Sequence, residues 1–386
     1  MNIYEALKYY YGYDSFRPGQ EEVVRELAAG RPVLAVLPTG AGKSVCFQLP
    51  SLLMEGLTLV VSPLLSLMQD QSEQLCSRGI RAAYLGSNLT ESAVGRILYA
   101  CLQGRIKLLY VAPERLSMAS FQSFAQRAHI SFVAIDEAHC VSQWGRSFRK
   151  DYYNIPLFLE QLSEKPLVAA FTATATPDVR RDILKHLNIP HAKTVVTGFD
   201  RPNLTFRTRH AWNKPQVLLE YLREHRQENG IIYCATRKLV EQVASMLVSL
   251  DFRALRYHAG LTSKERQQNQ RLFVEGEVPL IVATNAFGMG INKSDVRFVV
   301  HYNMPKDVES YYQEAGRAGR DGLPADCLLL WNMDDMKINS YLINHANKDK
   351  RVLDHEKQLL LYMHYYSRLM SGHRQYILRY FGELQK

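Results

Sequence analysis

The feature that most constrains this chain is a strand-turn-helix signal near its start. An apolar run, Pro32-Val33-Leu34-Ala35-Val36, leads into Leu37-Pro38-Thr39-Gly40-Ala41-Gly42-Lys43-Ser44, and Val45-Cys46-Phe47-Gln48-Leu49 continues as an apolar helix. A glycine-rich turn that opens a helix aims successive backbone N–H groups at one point and adds the positive end of the helix dipole, so it suits a polyphosphate. In this pattern Lys43 reaches the β- and γ-phosphates and the Ser44 hydroxyl reaches a Mg²⁺ ion. Leu37 stands where the strict pattern GxxxxGK[ST] has its first glycine. The flanking strand and helix are nevertheless the context the motif requires, which argues against a chance Gly-Lys-Ser in a surface loop. The expected ligand is a nucleoside triphosphate held by Pro38, Thr39, Gly40, Ala41, Gly42, Lys43 and Ser44.

A second signal supplies the matching acids. Asp136-Glu137-Ala138-His139 follows the run Ile130-Ser131-Phe132-Val133-Ala134-Ile135, which reads as a buried parallel strand. At the end of such a strand one carboxylate, Asp136, can join Ser44 on the metal, and the other, Glu137, can activate the attacking water. A capping or solvated acidic pair is the other reading of this tetrad, and its place after a strand disfavours it.

The same alternation runs through most of the 386 residues. Strands are predicted at Val33–Leu37, Leu57–Ser62, Ala82–Leu85, Leu108–Ala112, Phe132–Asp136, Leu167–Thr172 and Thr194–Thr197, with helical stretches between them. A second series, predicted at Gly230–Cys234, Ala254–Tyr257, Leu280–Thr284, Phe298–Tyr302 and Ala325–Trp331, begins near Asn203. Strands that alternate with helices predict an α/β fold of doubly wound parallel sheets. Gly198-Phe199-Asp200-Arg201-Pro202-Asn203 has the composition of a linker or hinge. The expected domains are 1–200 and 201–335, followed by a short helical C-terminal extension, 336–386, with helices over Leu353–Tyr366 and Tyr376–Tyr380.

Composition narrows the partners. The formal net charge of +9 favours a polyanion over an acidic partner. No apolar run approaches the roughly 18 residues of a membrane span, and Met1–Tyr11 reads as an amphipathic helix, so a soluble, cytoplasmic protein without membrane contact is expected. Six scattered cysteines with no CxxC spacing are expected to be reduced, buried and small, not a zinc site.

The second domain has no phosphate loop, yet it ends in Tyr311-Tyr312-Gln313-Glu314-Ala315-Gly316-Arg317-Ala318-Gly319-Arg320-Asp321-Gly322. Two arginines three apart are expected on one helix face, where both could stabilise charge on a γ-phosphate bound by the other domain. A solvated basic helix is the alternative; the interleaved Gly316, Ala318 and Gly319, which permit close approach, argue against it.

Taken together, these motifs resemble the RecQ family of superfamily-two DNA helicases. The resemblance runs through Tyr13–Gln20, the phosphate loop, Val60–Gln71, Tyr110–Leu116, Asp136–His139, Thr172–Ala175, Tyr233–Arg237, Tyr257–Gly260, Ala283–Val296 and Gln313–Gly322, nearly the whole chain to Trp331. It implies two tandem RecA-like domains, ATP and Mg²⁺ as ligands, and 3′→5′ DNA unwinding in repair or recombination. It implies that Tyr13 lies on adenine with Arg17 and Gln20 at its edge and phosphates, and that Gln313, Arg317 and Arg320 complete the hydrolytic site. It also implies that His139 relays strand occupancy. Cys140–Arg149 is similar to the family's aromatic-rich loop, so that Trp144 and Phe148 would stack on bases and Arg149 would take a phosphate or a ring face. Ser62, Thr172, Thr236 and Thr284 follow strands and would meet DNA phosphates, although each equally suits a helix cap.

The chain departs from the family pattern at Arg146-Ser147, where His-Asp is usual, and at Asn292, where aspartate is common. Gly372, beside His373, stands where the family's first zinc-binding cysteine belongs, before Tyr380-Phe381-Gly382-Glu383. No zinc is therefore expected, and His373 is expected to face solvent. The readings left open are a helicase, a DNA-stimulated ATPase or DNA-binding regulatory protein with little unwinding of its own, and an RNA helicase, which the aromatic loop disfavours. A monomer is favoured, with repair or replication proteins as possible partners.

Overall fold

The computed structural model describes residues 1–38, 40–142, 150–288, 293–345 and 350–383. The chain divides into two compact units, Met1–Gly198 and Phe199–Lys386.

The first unit is built on strands β1 (Val33–Val36), β2 (Leu57–Val61), β3 (Ala82–Leu85), β4 (Leu108–Val111), β5 (Ile130–Ile135), β6 (Leu167–Thr172) and β7 (Lys193–Val196). They form one sheet in the order β3-β4-β2-β5-β6-β1-β7, every pairing parallel. The four residues of β1 and of β4 are all buried, as expected of parallel strands covered by helices on both faces. Phe47, Val60, Phe132, Ala134 and Phe171 lie in one buried cluster, where Phe47 meets Phe171 edge-on at 5.2 Å. The first helix, Ile3–Tyr11, is set by a capping box between Asn2 and Glu5, and its Ala6 and Leu7 pack on Val24 and Leu49.

Backbone bonds align the carboxyl ends of these strands. Leu37 N–H donates to Thr172 O at 3.0 Å, Asp136 N–H to Val61 O at 2.9 Å, and Ser62 N–H to Val111 O at 3.0 Å. The phosphate loop, Ser62, the acidic tetrad and Thr172 thus share one edge of the sheet, where open α/β sheets bind ligands.

The second unit has strands β8 (Leu204–His210), β9 (Asn229–Tyr233), β10 (Ala254–Tyr257), β11 (Leu280–Ala283), β12 (Val296–His301) and β13 (Ala325–Trp331), in the order β10-β11-β9-β12-β13-β8 and again parallel. β8 was not among the expected strands. It pairs with β13 over its whole length, from Leu204 opposite Ala325 to His210 opposite Trp331. As an edge strand it exposes Thr205, Arg207 and Arg209, so it lacks the apolar run that marks the central strands.

Three further expectations are corrected here. The helix Val308–Ala315 stops before the arginines, and Arg317 and Arg320 lie in a turn, not on a helix face. Arg317 N–H bonds Glu314 O and Ala318 N–H bonds Ala315 O, three residues back instead of four, and Gly319 at φ 54° takes the chain out of helical conformation. His373 does not face solvent. It is 9% exposed and its Nε2 lies 3.0 Å from the Thr208 hydroxyl, because the helix His373–Tyr380 packs on β8. Cys76 is exposed while the other five cysteines are buried.

The helices Met333–Asn344, Lys350–Ser367 and His373–Tyr380 belong to the second unit. A buried ion pair pins the first of them: Lys214 Nζ lies 2.8 and 2.7 Å from the Asp335 carboxylate, which also accepts from Asn303 Nδ2 at 2.8 Å. No helix among the described residues is long and apolar enough to cross a membrane.

Candidate nucleotide-binding site

In the first unit the phosphate loop is shaped by two left-handed glycines, Gly40 at φ 87° and Gly42 at φ 79°. The left-handed conformation favours glycine at Gly42, and a Cβ there, 2.5 Å from Gln20 Nε2, would push the Gln20 amide off the loop. The helix Lys43–Leu53 starts at once, and no side chain caps its first turn. Its leading N–H groups suit an anion. Pro38 and Ala41 close the turn through a 3.1 Å backbone bond, and Ser44 follows Lys43 in the first helical turn. Thr39 lies outside the described residues.

Arg17 and Gln20 brace this loop. Gln20 Nε2 donates to Ala41 O at 2.9 Å and Gly42 O at 3.1 Å, while its Oε1 accepts from Arg17 N–H at 2.9 Å. Arg17 Nη1 donates to Gly40 O at 2.6 Å. The Gln20 amide expected at an adenine edge is thus 4% exposed and bonded to the loop. Tyr13 is 47% exposed, with its ring at the surface.

At the end of β5, Glu137 adopts φ 49°, ψ 45°, a left-handed conformation rare for a residue with a side chain. Such strain persists where the surroundings impose it and concentrates at functional sites. Glu137 N–H donates to Asp136 Oδ1 at 2.9 Å, and the Tyr152 hydroxyl donates to Asp136 O at 2.9 Å. Burial, and next the Glu137 carboxylate, push the Asp136 carboxyl up to about 7, against the opposing pull of the Lys43 ammonium, the Glu137 N–H and the Ser62 hydroxyl. Two buried carboxylates in this state gain from a nearby cation. Among the described residues no group of three or more His, Cys, Asp and Glu could hold a metal alone. One hydroxyl and one carboxylate, Ser44 and Asp136, are hard oxygen donors that would suit a magnesium ion brought with a nucleotide.

His139 joins this corner to the next strand. It is 2% exposed, with Nδ1 3.0 Å from the Thr172 hydroxyl and 3.3 Å from Glu137 Oε2. Thr172 Oγ1 also donates to Thr174 O at 3.2 Å. Ser62 and Thr172, expected against DNA phosphates, are 1% and 0% exposed, and both hydroxyls point into this corner. Trp144, Phe148 and Arg149 lie outside the described residues.

The second unit gathers Gln313, Arg317 and Arg320. Gln313 is 4% exposed, and its Oε1 has no hydrogen-bond partner among the described residues. Arg317 is buried and donates to Gly288 O; a Cβ at Gly288 would fall on its guanidinium. Burial, then the neighbouring Arg317, with a smaller push from Arg201, hold Arg320 down to about 10. Clustered guanidinium groups of this kind favour an anion. Thr236 caps the helix Arg237–Ser249 through a 3.2 Å bond from Leu239 N–H, and Thr284, 9% exposed, accepts from Ala286 N–H at 3.4 Å. Both therefore serve as caps or turn residues at strand ends. Arg201 and Asn203, taken from sequence only as linker, prove to bond the arginine turn; a charged and an amide residue flanking a proline were the sole sequence signal.

Comparison with known proteins places this geometry. The family description "DEAD/DEAH box helicase" matches residues 17–183, and "Helicase conserved C-terminal domain" matches 213–322. The ATP-dependent DNA helicase RecQ of Bacillus subtilis (strain 168) is 45% identical over 381 residues, 98% of this chain and 64% of that protein. The chain belongs to the RecQ family. The RecQ protein of Pasteurella multocida (strain Pm70) is 42% identical over 99% of this chain and 60% of its own length, so the chain spans less than two thirds of these RecQ relatives. S. cerevisiae Dbp5 bound to RNA and ADP BeF3 is similar in fold at TM-score 0.68, covering 92% of this chain and 97% of Dbp5 at 20% identity. The fold is that of two RecA-like parallel-sheet units, as expected of RecQ proteins.

Proposed function

We propose that this chain is an ATP-hydrolysing motor that translocates 3′→5′ on DNA and unwinds tailed duplexes. The observation that carries the reading is the corner formed at the ends of β1 and β5, where Asp136 and Glu137 lie together within the field of Lys43. The naming of the Bacillus and Pasteurella relatives as DNA helicases supports DNA as the track.

In this reading the loop N–H groups and Lys43 bind the triphosphate, and Ser44 and Asp136 hold Mg²⁺. The ion, when bound, neutralises phosphate charge. Glu137 takes the proton of the attacking water at its carboxylate, and Arg317 and Arg320 stabilise the charge that develops on the transferred phosphoryl group, with Gln313 beside them. His139 ties Glu137 to Thr172, a route by which occupancy of the strand could bias the water-activating carboxylate. Trp144 and Phe148 stack on bases, while Arg149, Thr236 and Thr284 meet the backbone. Work of this kind belongs inside the cell, in repair or recombination.

The test is strand release from 3′-tailed and 5′-tailed duplexes, alongside ATPase rates with and without single-stranded DNA. Release from the 3′-tailed duplex with ATP, absent with a non-hydrolysable analogue, supports the motor. DNA-stimulated hydrolysis without release would leave an ATPase only, and stronger stimulation by RNA would overturn the choice of track.

A further inference from the structure

The stretch Phe199–Asn203 reads as a linker in sequence, yet inside the second unit it is fastened along its length. The Phe199 ring stacks on Phe381 at 4.3 Å and 10°. Phe199 N–H donates to Glu383 Oε2 at 2.6 Å, and its carbonyl accepts from the Tyr312 hydroxyl at 2.7 Å. Asp200 forms a two-pronged ion pair with Arg374.

From that anchorage Arg201 reaches the arginine turn. Its Nη1 donates to Gly316 O at 3.3 Å, and its Nη2 donates to Ala318 O and Gly319 O, both at 3.0 Å. Asn203 Nδ2 donates to Gly319 O and Leu323 O, both at 2.9 Å. The two side chains therefore collect the carbonyls of the segment that carries Arg317 and Arg320. That segment has two glycines and three-residue hydrogen bonds, a combination with little stiffness of its own. A planar guanidinium suits the task because its donors leave in fixed directions, whereas a lysine ammonium offers a point charge.

We propose that Arg201 is a positioning residue for ATP hydrolysis: it locks the Gly316–Gly319 turn so that Arg317 and Arg320 are presented in the orientation that stabilises the phosphoryl group. The proposal rests on the reading of Arg317 and Arg320 given above. Arg201 acts through them and contacts no phosphate.

The test uses the full chain with Arg201→Ala, Arg201→Lys, Arg320→Ala and the double variant Arg201→Ala/Arg320→Ala. Misplacement by about an ångström costs roughly a hundredfold in rate, so Arg201→Ala should lower kcat by about that factor while KM for ATP stays within about twofold. Arg201→Lys, which keeps the charge and loses the fork, should fall in the same direction and guards against a variant that does not fold. The double variant should be slower than Arg320→Ala alone by less than the factor that Arg201→Ala costs in the wild-type background, since part of that loss runs through Arg320 and only the part through Arg317 remains. Hydrogen exchange should rise in a peptide over 313–322 and stay unchanged in peptides over β9 and β11. Wild-type kcat in Arg201→Ala with a slow Arg320→Ala overturns the proposal and leaves the role of the arginines standing. Wild-type kcat in Arg320→Ala removes that role and the proposal with it. A uniform rise in exchange across the unit assigns Arg201 to general stability and overturns the proposal as well.

Discussion

His139 Nδ1 lies 3.0 Å from the Thr172 hydroxyl, so a single buried imidazole connects the acidic tetrad after β5 to the end of β6. Removing that hydroxyl strands a ring nitrogen and the Thr174 carbonyl without water to replace it. Thr172→Val should therefore cost about 1–3 kcal/mol in urea unfolding, and Thr172→Ser should recover most of it. In ATPase assays DNA stimulation should fall more than basal turnover. A Thr172→Val protein as stable and as responsive as wild type would show that the contact is idle.

Glu137→Gln keeps the shape of the side chain and removes its basicity. Loss of a general base slows reactions by about 10²–10⁴, so phosphate release should drop by that order while nucleotide binding persists. Lys43→Ala should lose both, because it deletes the charge that meets the phosphates. Unaltered turnover in Glu137→Gln would transfer water activation to another group.

Gly288→Ala tests the seat of Arg317. The new methyl would occupy the guanidinium position, and the flexible side chain, not the backbone, should yield. The expected result is a melting temperature close to wild type with kcat reduced at least about tenfold. A full-speed Gly288→Ala enzyme would mean that Arg317 need not sit where it does.

Asp335→Ala breaks a pair in which Lys214 is 6% and Asp335 2% exposed and leaves a buried ammonium. Its cost should be about 3–5 kcal/mol, measured by chemical denaturation. Asp335→Asn, which keeps one acceptor oxygen for Lys214 and Asn303, should cost less. Equal stabilities for wild type and Asp335→Ala would contradict the pairing.

DNA binding should weaken linearly on a log–log plot against salt, with a slope of about −0.7 for each phosphate contact on a single strand. The net charge of +9 provides the cations. A flat slope in fluorescence anisotropy would exclude backbone contacts as the main source of affinity.

Much of the first unit was legible residue by residue. β1, β4 and β6 lie where their apolar runs predict, within a residue at their ends, because a parallel strand covered on both faces has no polar positions to blur the pattern. β8 was not legible, since an edge strand with Arg207 and Arg209 outward resembles a polar connection. The turn after Ala315 was read as helix although Gly316 and Gly319 weaken one, because the glycines suited close approach equally well and the side chains of Arg201 and Asn203 that hold its carbonyls lie more than a hundred positions away in sequence.

What the amino-acid order determined unaided is local: a glycine turn between strand and helix, with Lys43 and Ser44 at its exit, follows from dihedral preference and from N–H groups within a few residues of one another. What tertiary structure alone decided is which distant side chains share a corner. Gln20 is bonded to the loop, Thr172 to His139, and Thr208 to His373, and the segment leading into β8 carries Arg201 and Asn203 to the arginine turn. The physical reason is that a buried polar atom must find a partner somewhere, and packing, not neighbourhood along the chain, chooses which one.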